Sequence, residues 1–167
     1  MKIIGDGGHA AVVREIINPY EQDRGYVFVA VGGNAERKKE AEKFPGYAIF
    51  DTLIHPSAVV SPSATIGAGT VIMAGVVVQA YAQIGRHVIL NTHCSVDHHA
   101  IIGDYVHIAP GAHLCGNVEI GEGTLVGVGV GIAPGCKIPA WSLVKARALE
   151  IVPLNIEQDY GLVAGRG

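Results

Sequence analysis

The chain has 167 residues, of which 49% are hydrophobic and 16% are charged, and its formal net charge is −3. A charged fraction below the usual value of roughly 25%, together with a slightly negative charge, argues against nucleic acid or an anionic membrane surface as a partner. The length favours one domain, or one domain with a small appendage.

Residues 1–50 predict a small α/β domain. A strand is predicted over 1–4, a glycine turn over 5–9 and a helix over 10–17, followed by a strand over 26–31 and a helix over 35–44. The first strand leads directly into a glycine turn, and no apolar run approaches the about 20 residues that span a bilayer. We therefore expect a cytoplasmic protein without a signal peptide.

The glycine turn at residues 5–9 is a candidate phosphate site. A strand, a glycine turn and a helix N-terminus can together present backbone N–H groups to a phosphate. Such turns also contain glycine for steric reasons alone, and His9 at the start of the helix could instead be a capping residue.

From residue 54 onward the sequence repeats every six residues. A β-branched residue or leucine recurs without a miss, and a small or slender residue follows four positions after most of them, often with Gly or Pro between. The aliphatic positions are Ile54, Val60, Ile66, Ile72, Val78, Ile84, Leu90, Val96, Ile102, Ile108, Leu114, Ile120, Val126, Ile132, Ile138 and Val144.

A period of six fits a three-sided solenoid of parallel strands. Each six-residue unit supplies one short strand and one corner, so that three units complete a coil and residue i stacks on residue i+18. The large aliphatic fills the interior, the small residue lets the corner close, and glycine supplies turn dihedral angles. Stacked coils bury a continuous core that one coil could not. We predict a mainly β protein with a parallel β-helix of about five coils over residues 51–149 and a tail over 150–167.

Histidines are concentrated in the middle of the repeat. Five of the eight lie between positions 93 and 113, namely His93, His98, His99, His107 and His113. His98 occupies a position from which a side chain can point outward, and imidazole can accept the proton that an amine loses as it attacks a thioester. Gly116 lies three repeat units later and should adjoin His98 on the next coil, where it would admit the thioester and offer a backbone N–H to its oxyanion. The alternative is a solvated strand that carries polar side chains.

The repeat resembles that of the hexapeptide-repeat acyltransferases, whose β-helix is left-handed and which usually form trimers with active sites between neighbouring helices. Several segments together resemble the sialic-acid O-acetyltransferase-like group, which includes the UDP-4-amino-sugar N-acetyltransferases of bacillosamine synthesis. They are Gly7-Gly8-His9, Ile89-Leu90-Asn91-Thr92, Val96-Asp97-His98, Ile102-Gly103-Asp104 and Gly116-Asn117-Val118.

This resemblance implies an acetyl-CoA-dependent homotrimer that N-acetylates a nucleotide-linked 4-amino sugar, with a UDP-sugar as the expected substrate and no metal. It implies a shortened Rossmann-like N-terminal domain that holds the nucleotide-sugar. His98 is the implied catalytic base. Acetyl-CoA is expected near His107, Gly116, Val128 and Ala146, and the nucleotide-sugar near Gly7, Gly8, His9, Gly32 and Asn91.

The chain departs from the family pattern in two places. Relatives often carry a carboxylate directly after the catalytic histidine, whereas this chain has His99 there and Asp97 on the other side. We include both among the candidate catalytic residues, although adjacent residues of a strand face opposite ways. The N-terminal domain is also short, and only Glu21, Gln22 and Asp23 occupy the stretch where relatives have an acidic strand end.

Three other functions remain open at this stage. A sugar O-acetyltransferase of the sialic-acid type would use the same residues, and a noncatalytic β-helix scaffold would use none of them. A zinc enzyme resembling the γ-class carbonic anhydrases could use His93 and His98, but Ser57 and Pro62 occupy the levels two coils earlier where that family has a further histidine. Zinc needs three or four well-placed ligands.

Overall fold

The computed structural model describes residues 2–16, 26–44 and 48–146. The predictions for the acidic stretch at 21–23 and for the tail at 150–167 therefore lie outside the described residues. No helix in the described ranges is long and apolar enough to cross a membrane.

The N-terminal part is a two-stranded parallel sheet with two helices. Strand β1 (Lys2–Ile4) pairs with β2 (Val27–Val29), and the helices are α1 (Gly8–Ile16) and α2 (Asn34–Glu42). Helix α1 begins two residues earlier than predicted, because the carbonyl of Gly7 accepts the N–H groups of Ala10 and Ala11 and draws the glycine turn into the first helical turn.

The rest of the described chain is a parallel β-helix of two-residue strands. The strands are β3 (Leu53–Ile54), β4 (Val59–Val60), β5 (Thr65–Ile66), β6 (Val71–Ile72), β7 (Val77–Val78), β8 (Gln83–Ile84), β9 (Ile89–Leu90), β10 (Ser95–Val96), β11 (Ile101–Ile102), β12 (His107–Ile108), β13 (His113–Leu114), β14 (Glu119–Ile120), β15 (Leu125–Val126), β16 (Gly131–Ile132), β17 (Lys137–Ile138) and β18 (Leu143–Val144).

Each strand of the solenoid pairs with the strand three positions earlier and the strand three positions later in chain order, where these exist. This pairing produces three faces. The domain face contains β3, β6, β9, β12, β15 and β18, the open face contains β4, β7, β10, β13 and β16, and the charged face contains β5, β8, β11, β14 and β17. Partners in the register are separated by one full coil of three repeat units, as in Val96 with Leu114 and Ile102 with Ile120. The predicted fold class is confirmed.

The aliphatic series fills the interior of the solenoid. Residues from Ile72 to Ile132 in this series are buried, and the small corner residues such as Ala82, Ala100 and Ala112 are fully enclosed. Ile54 is 44% exposed. Ile54 belongs to the first coil, which is covered by another coil on one side only. The other side of this coil therefore leaves part of its apolar interior exposed to solvent.

Every corner from residue 69 to residue 141 places one residue in the left-handed region of backbone space. These residues are Gly69, Gly75, Tyr81, His87, His93, His99, Tyr105, Gly111, Asn117, Gly123, Gly129, Gly135 and Trp141, and seven of them are not glycine. The prediction that glycine supplies the corner dihedral angles is thus correct for only part of the series. The side chains of the non-glycine corner residues pack on the corner residue one coil earlier. His87, for example, lies so close to Gly69 that a Cβ on Gly69 would be 2.4 Å from Nδ1 of His87.

A buried arginine fastens helix α2 to the solenoid. Arg37 is 1% exposed, and its guanidinium donates to the carbonyls of His87 at 2.8 Å and Tyr105 at 2.7 Å. It also donates to the carbonyls of Val31 and Gly32, at 3.0 and 3.1 Å. Burial lowers the pKa of Arg37 to about 10, so the side chain remains charged at neutral pH.

Helix α1 packs on the domain face through apolar contacts. Ala10 and Val13 of α1 lie in one buried cluster with Leu53, Val71 and Ile89, which point outward from that face. The two helices thus hold the glycine turn against the solenoid.

Adjacent residues of β11 provide a matched test of this core. Ile102 is 2% exposed and points inward, whereas Ile101 is 44% exposed and points outward. We expect Ile102→Asp to lower the free energy of unfolding by about 4 kcal/mol or more, because it buries an unpaired carboxylate. Ile101→Asp should change it by no more than about 1 kcal/mol. Urea unfolding followed by circular dichroism measures both, and equal losses would contradict the inward assignment of Ile102.

Candidate active site

His98 lies directly beside Gly116 on the next coil. His98 is exposed at the corner between the open and charged faces, and its carbonyl accepts the N–H of Asn117 at 3.0 Å. A Cβ on Gly116 would lie 2.5 Å from Cε1 and 2.7 Å from Nε2 of His98. The imidazole therefore lies directly on Gly116, in the space that a side chain at position 116 would occupy, which matches the adjacency predicted from the repeat.

The side chain that contacts His98 is His99 and not Asp97. The Nδ1 atoms of His98 and His99 are 3.1 Å apart, and the two rings meet at an interplanar angle of 82°. The backbone N–H of Asp97 donates to Leu114, while within the described ranges its carboxylate forms no hydrogen bond with His98. A role for Asp97 in assisting the base therefore stays a prediction, without a hydrogen bond to His98 behind it.

The remaining histidines of the open face form no metal centre. Nδ1 of His113 lies 2.9 Å from Oγ of Ser95, and His93 is exposed at the corner between the domain and open faces. Among residues 2–16, 26–44 and 48–146, no three or more His, Cys, Asp or Glu side chains cluster in a way that could hold a metal ion.

A cleft of about 600 Å³ opens at the glycine turn of the N-terminal domain. Its walls are residues 4–9, residues 30–32, and Glu36 and Glu40 of helix α2. Gly7 and Gly8 face open space, since a Cβ on either would have no heavy atom within 4 Å. The structure thus brings together four of the residues predicted to bind the nucleotide-sugar, namely Gly7, Gly8, His9 and Gly32.

Two features of this cleft were not predicted. Glu36 and Glu40 belong to a helix whose sequence indicates only a polar surface, and their position in the cleft follows from how α2 is docked. His9 packs on Gly32, where a Cβ would lie 2.9 Å from Nδ1 of His9. Burial, and then the charge of Arg37, lower the pKa of His9, which favours a neutral imidazole in the wall.

Asn91 and His107 connect the cleft to the solenoid. The amide nitrogen of Asn91 lies 3.1 Å from Nε2 of His107, and the His107 ring meets the His9 ring edge-on at 5.4 Å. Burial, followed by the charges of His9 and Arg37, lowers the pKa of His107 to about 4. A neutral His107 can accept the amide hydrogen of Asn91. His107 therefore lies with the residues predicted to bind the sugar nucleotide, although the sequence places it near acetyl-CoA.

Val128 and Ala146 occupy a different edge of the open face from His98. Both are exposed, and they lie one coil apart at the corner that follows the domain face. His98 lies at the corner that follows the open face. Within one chain, Val128 and Ala146 thus flank the open face on the side opposite to His98, whereas Gly116, which is also predicted to contact acetyl-CoA, lies beside His98.

Solved structures of similar proteins cover most of this chain. The acetyltransferase domain of PglB from Neisseria gonorrhoeae is 33% identical, with a TM-score of 0.80 over 87% of each chain. The same domain in complex with acetyl coenzyme A matches over 90% of this chain and 89% of its own, at 33% identity and a TM-score of 0.80. PerB from Caulobacter crescentus, in complex with CoA and GDP-perosamine, is 35% identical, with a TM-score of 0.80 over 86% of this chain and 84% of its own. No protein-family model and no curated protein matched the sequence.

A buried histidine lies where the N-terminal part of the chain packs on the solenoid. His87 is 1% exposed, it lies between the rings of Phe50 and Tyr105, and its Nδ1 has no partner in the described residues. Burial, and then the charges of Arg86 and Arg37, lower the pKa of His87 to about 4.

We predict that the protein loses stability as the pH falls from 6.5 towards 4. The folded-state pKa of His87 lies below the value of about 6.5 in the unfolded chain, so the unfolded chain binds more protons in this window and the free energy of unfolding falls with pH. For His87 the loss approaches about 3 kcal/mol. His87→Asn retains a residue that tolerates the left-handed backbone and should flatten the dependence between pH 7 and 5. Thermal unfolding at a series of pH values measures this, and an unchanged slope in the variant would contradict the assignment.

Proposed function

Because the chain belongs to the hexapeptide-repeat acetyltransferases with a left-handed β-helix, we propose that it transfers an acetyl group from acetyl-CoA to the amino group of a nucleotide-linked sugar. The observation that carries this proposal is the position of His98, whose exposed imidazole lies directly on Gly116 at the rim of the open face. The bound ligands of the similar structures, acetyl coenzyme A in one and CoA with GDP-perosamine in another, support the choice of donor and acceptor class.

In this mechanism His98 acts as the general base. The sugar nitrogen attacks the thioester carbonyl carbon while Nε2 of His98 takes its proton, which forms the C–N bond and a tetrahedral oxyanion. Collapse of this intermediate breaks the C–S bond, and the imidazolium returns the proton to the departing thiolate. Gly116 lets the imidazole of His98 lie close to the backbone, and the backbone N–H of Gly116 is a candidate donor to the oxyanion.

The cleft at the glycine turn is the proposed nucleotide site. The N-terminus of α1 and the open backbone at Gly7 and Gly8 suit the phosphates, because backbone N–H groups and the helix dipole favour an anion there. Glu36 and Glu40 line another wall of the cleft, where carboxylates would repel phosphate and accept hydrogen bonds from hydroxyl or N–H groups. Asn91 and His107 extend this site towards the solenoid.

We further propose that the working enzyme is a homotrimer. Within one chain, Val128 and Ala146 lie across the open face from His98. A neighbouring copy packed along this face would bring its own cofactor residues to the base. The outward residues of the open face include Val59, which is 63% exposed, and burial of this surface would favour association.

A substrate screen tests the proposed reaction. Purified protein is incubated with acetyl-CoA and a UDP-, dTDP- or GDP-linked amino sugar, and release of free thiol is followed. We expect turnover with at least one amino sugar and none with the matching sugar that carries a hydroxyl in place of the amine. Transfer to the hydroxyl sugar would instead indicate an O-acetyltransferase, and no transfer to any of them would contradict the proposal.

Substitution of His98 tests the assignment of the base. We expect His98→Ala to lower kcat by about 10² or more, because it removes the proton acceptor while leaving the exposed corner folded. His55→Ala is the matched control, since His55 lies in the first coil and contacts only Ser57 through its ring nitrogen in the described chain. Near-normal turnover of His98→Ala, with the thermal unfolding midpoint unchanged, would rule out His98 as the base.

A further inference from the structure

The contact between His98 and His99 restricts where His98 can carry its proton. A hydrogen bond between two imidazole nitrogens needs one N–H and one lone pair, and here the two Nδ1 atoms are 3.1 Å apart. If His98 donates, its Nε2 has a lone pair and can act as a base. If His99 donates, Nε2 of His98 carries the proton and cannot accept another. Only the first arrangement is competent for the proposed reaction.

The ring of His99 is exposed, and its orientation follows from its backbone conformation and from one neighbouring ring. The residue is in the left-handed region, with a φ of 59°, and its backbone N–H donates to the carbonyl of Ala80 at 3.1 Å. Its ring lies on that of Tyr81, one coil earlier, with centroids 5.1 Å apart and an interplanar angle of 32°. The corner geometry and this stacking together direct Nδ1 of His99 towards His98.

We infer that His99 is a positioning residue that accepts the Nδ1 hydrogen of His98 and thereby keeps Nε2 of His98 free to act as the base. This inference rests on the proposed function, in which His98 takes the proton of the amine. It assigns to a second imidazole the task of orienting the base, which a carboxylate often performs in the family that the sequence resembles.

An imidazole partner has consequences that a carboxylate would not have. A neutral acceptor stabilises the imidazolium less than an anion does, and a proton added to either ring removes the lone pair at Nε2 of His98. The other titratable groups beside the pair are Tyr81, which stacks on His99, and Asp97, which precedes His98.

The same corner column supplies two substitutions that suit the backbone. Asn117 and Gly135, one and two coils beyond His99, adopt the same left-handed conformation with φ of 59° and 71°. His99→Gly fits this backbone but removes the acceptor. His99→Asn also fits it and offers a carbonyl oxygen as a non-titrating acceptor.

The experiment compares these two variants with the wild-type enzyme and with His98→Ala, using an amino sugar that the wild type acetylates. We expect His99→Gly to lower kcat about tenfold or more, with the KM for acetyl-CoA unchanged, and His99→Asn to recover kcat to within about threefold of the wild type.

Each result bears on a separate claim. Wild-type turnover in His99→Gly, or the same loss in His99→Asn as in His99→Gly, would overturn the positioning role while leaving the base assignment intact. Full activity in His98→Ala would overturn the base itself. Thermal unfolding of all variants identifies a loss of kcat that arises from a loss of folded protein.

Discussion

The coil-to-coil register of the solenoid is the constraint on which the other features depend. Parallel pairing ties each strand to the third strand on either side, and the interior aliphatic of every unit prevents slippage, since a shift by one residue would turn the apolar side chains outward. The register therefore determines more than the core. It places the imidazole of His98 beside Gly116, and it aligns the left-handed corners so that a ring such as that of His99 stacks on Tyr81.

The docking of the N-terminal domain depends on a different interaction, the buried guanidinium of Arg37. A buried charge is costly unless its donors are satisfied, and here backbone carbonyls from both parts of the chain satisfy them. The charge of Arg37 adds to burial in lowering the pKa values of His9, His87 and His107. Neutral histidines at this interface are thus a consequence of the way in which the two parts are joined.

The candidate site combines these two levels of organisation. The solenoid supplies His98, the proposed base, and its glycine neighbour, while the N-terminal domain supplies an open cleft at a helix N-terminus. Asn91 and His107 lie between them and belong to both. The family to which the chain belongs transfers acetyl groups.

The sequence alone determined the β-helix and the adjacency of His98 and Gly116, because a strict period converts sequence separation directly into position. It also located the glycine turn and four of the residues that line the cleft, Gly7, Gly8, His9 and Gly32. It did not reveal that Arg37, one polar residue of a charged helix, is buried against the solenoid. It did not place His107 beside His9, and it did not show that the side chain in contact with His98 is His99. Those features depend on contacts between distant segments and on the left-handed corner conformation of non-glycine residues. The six-residue repeat predicts neither, because it gives only the position of each residue along the solenoid.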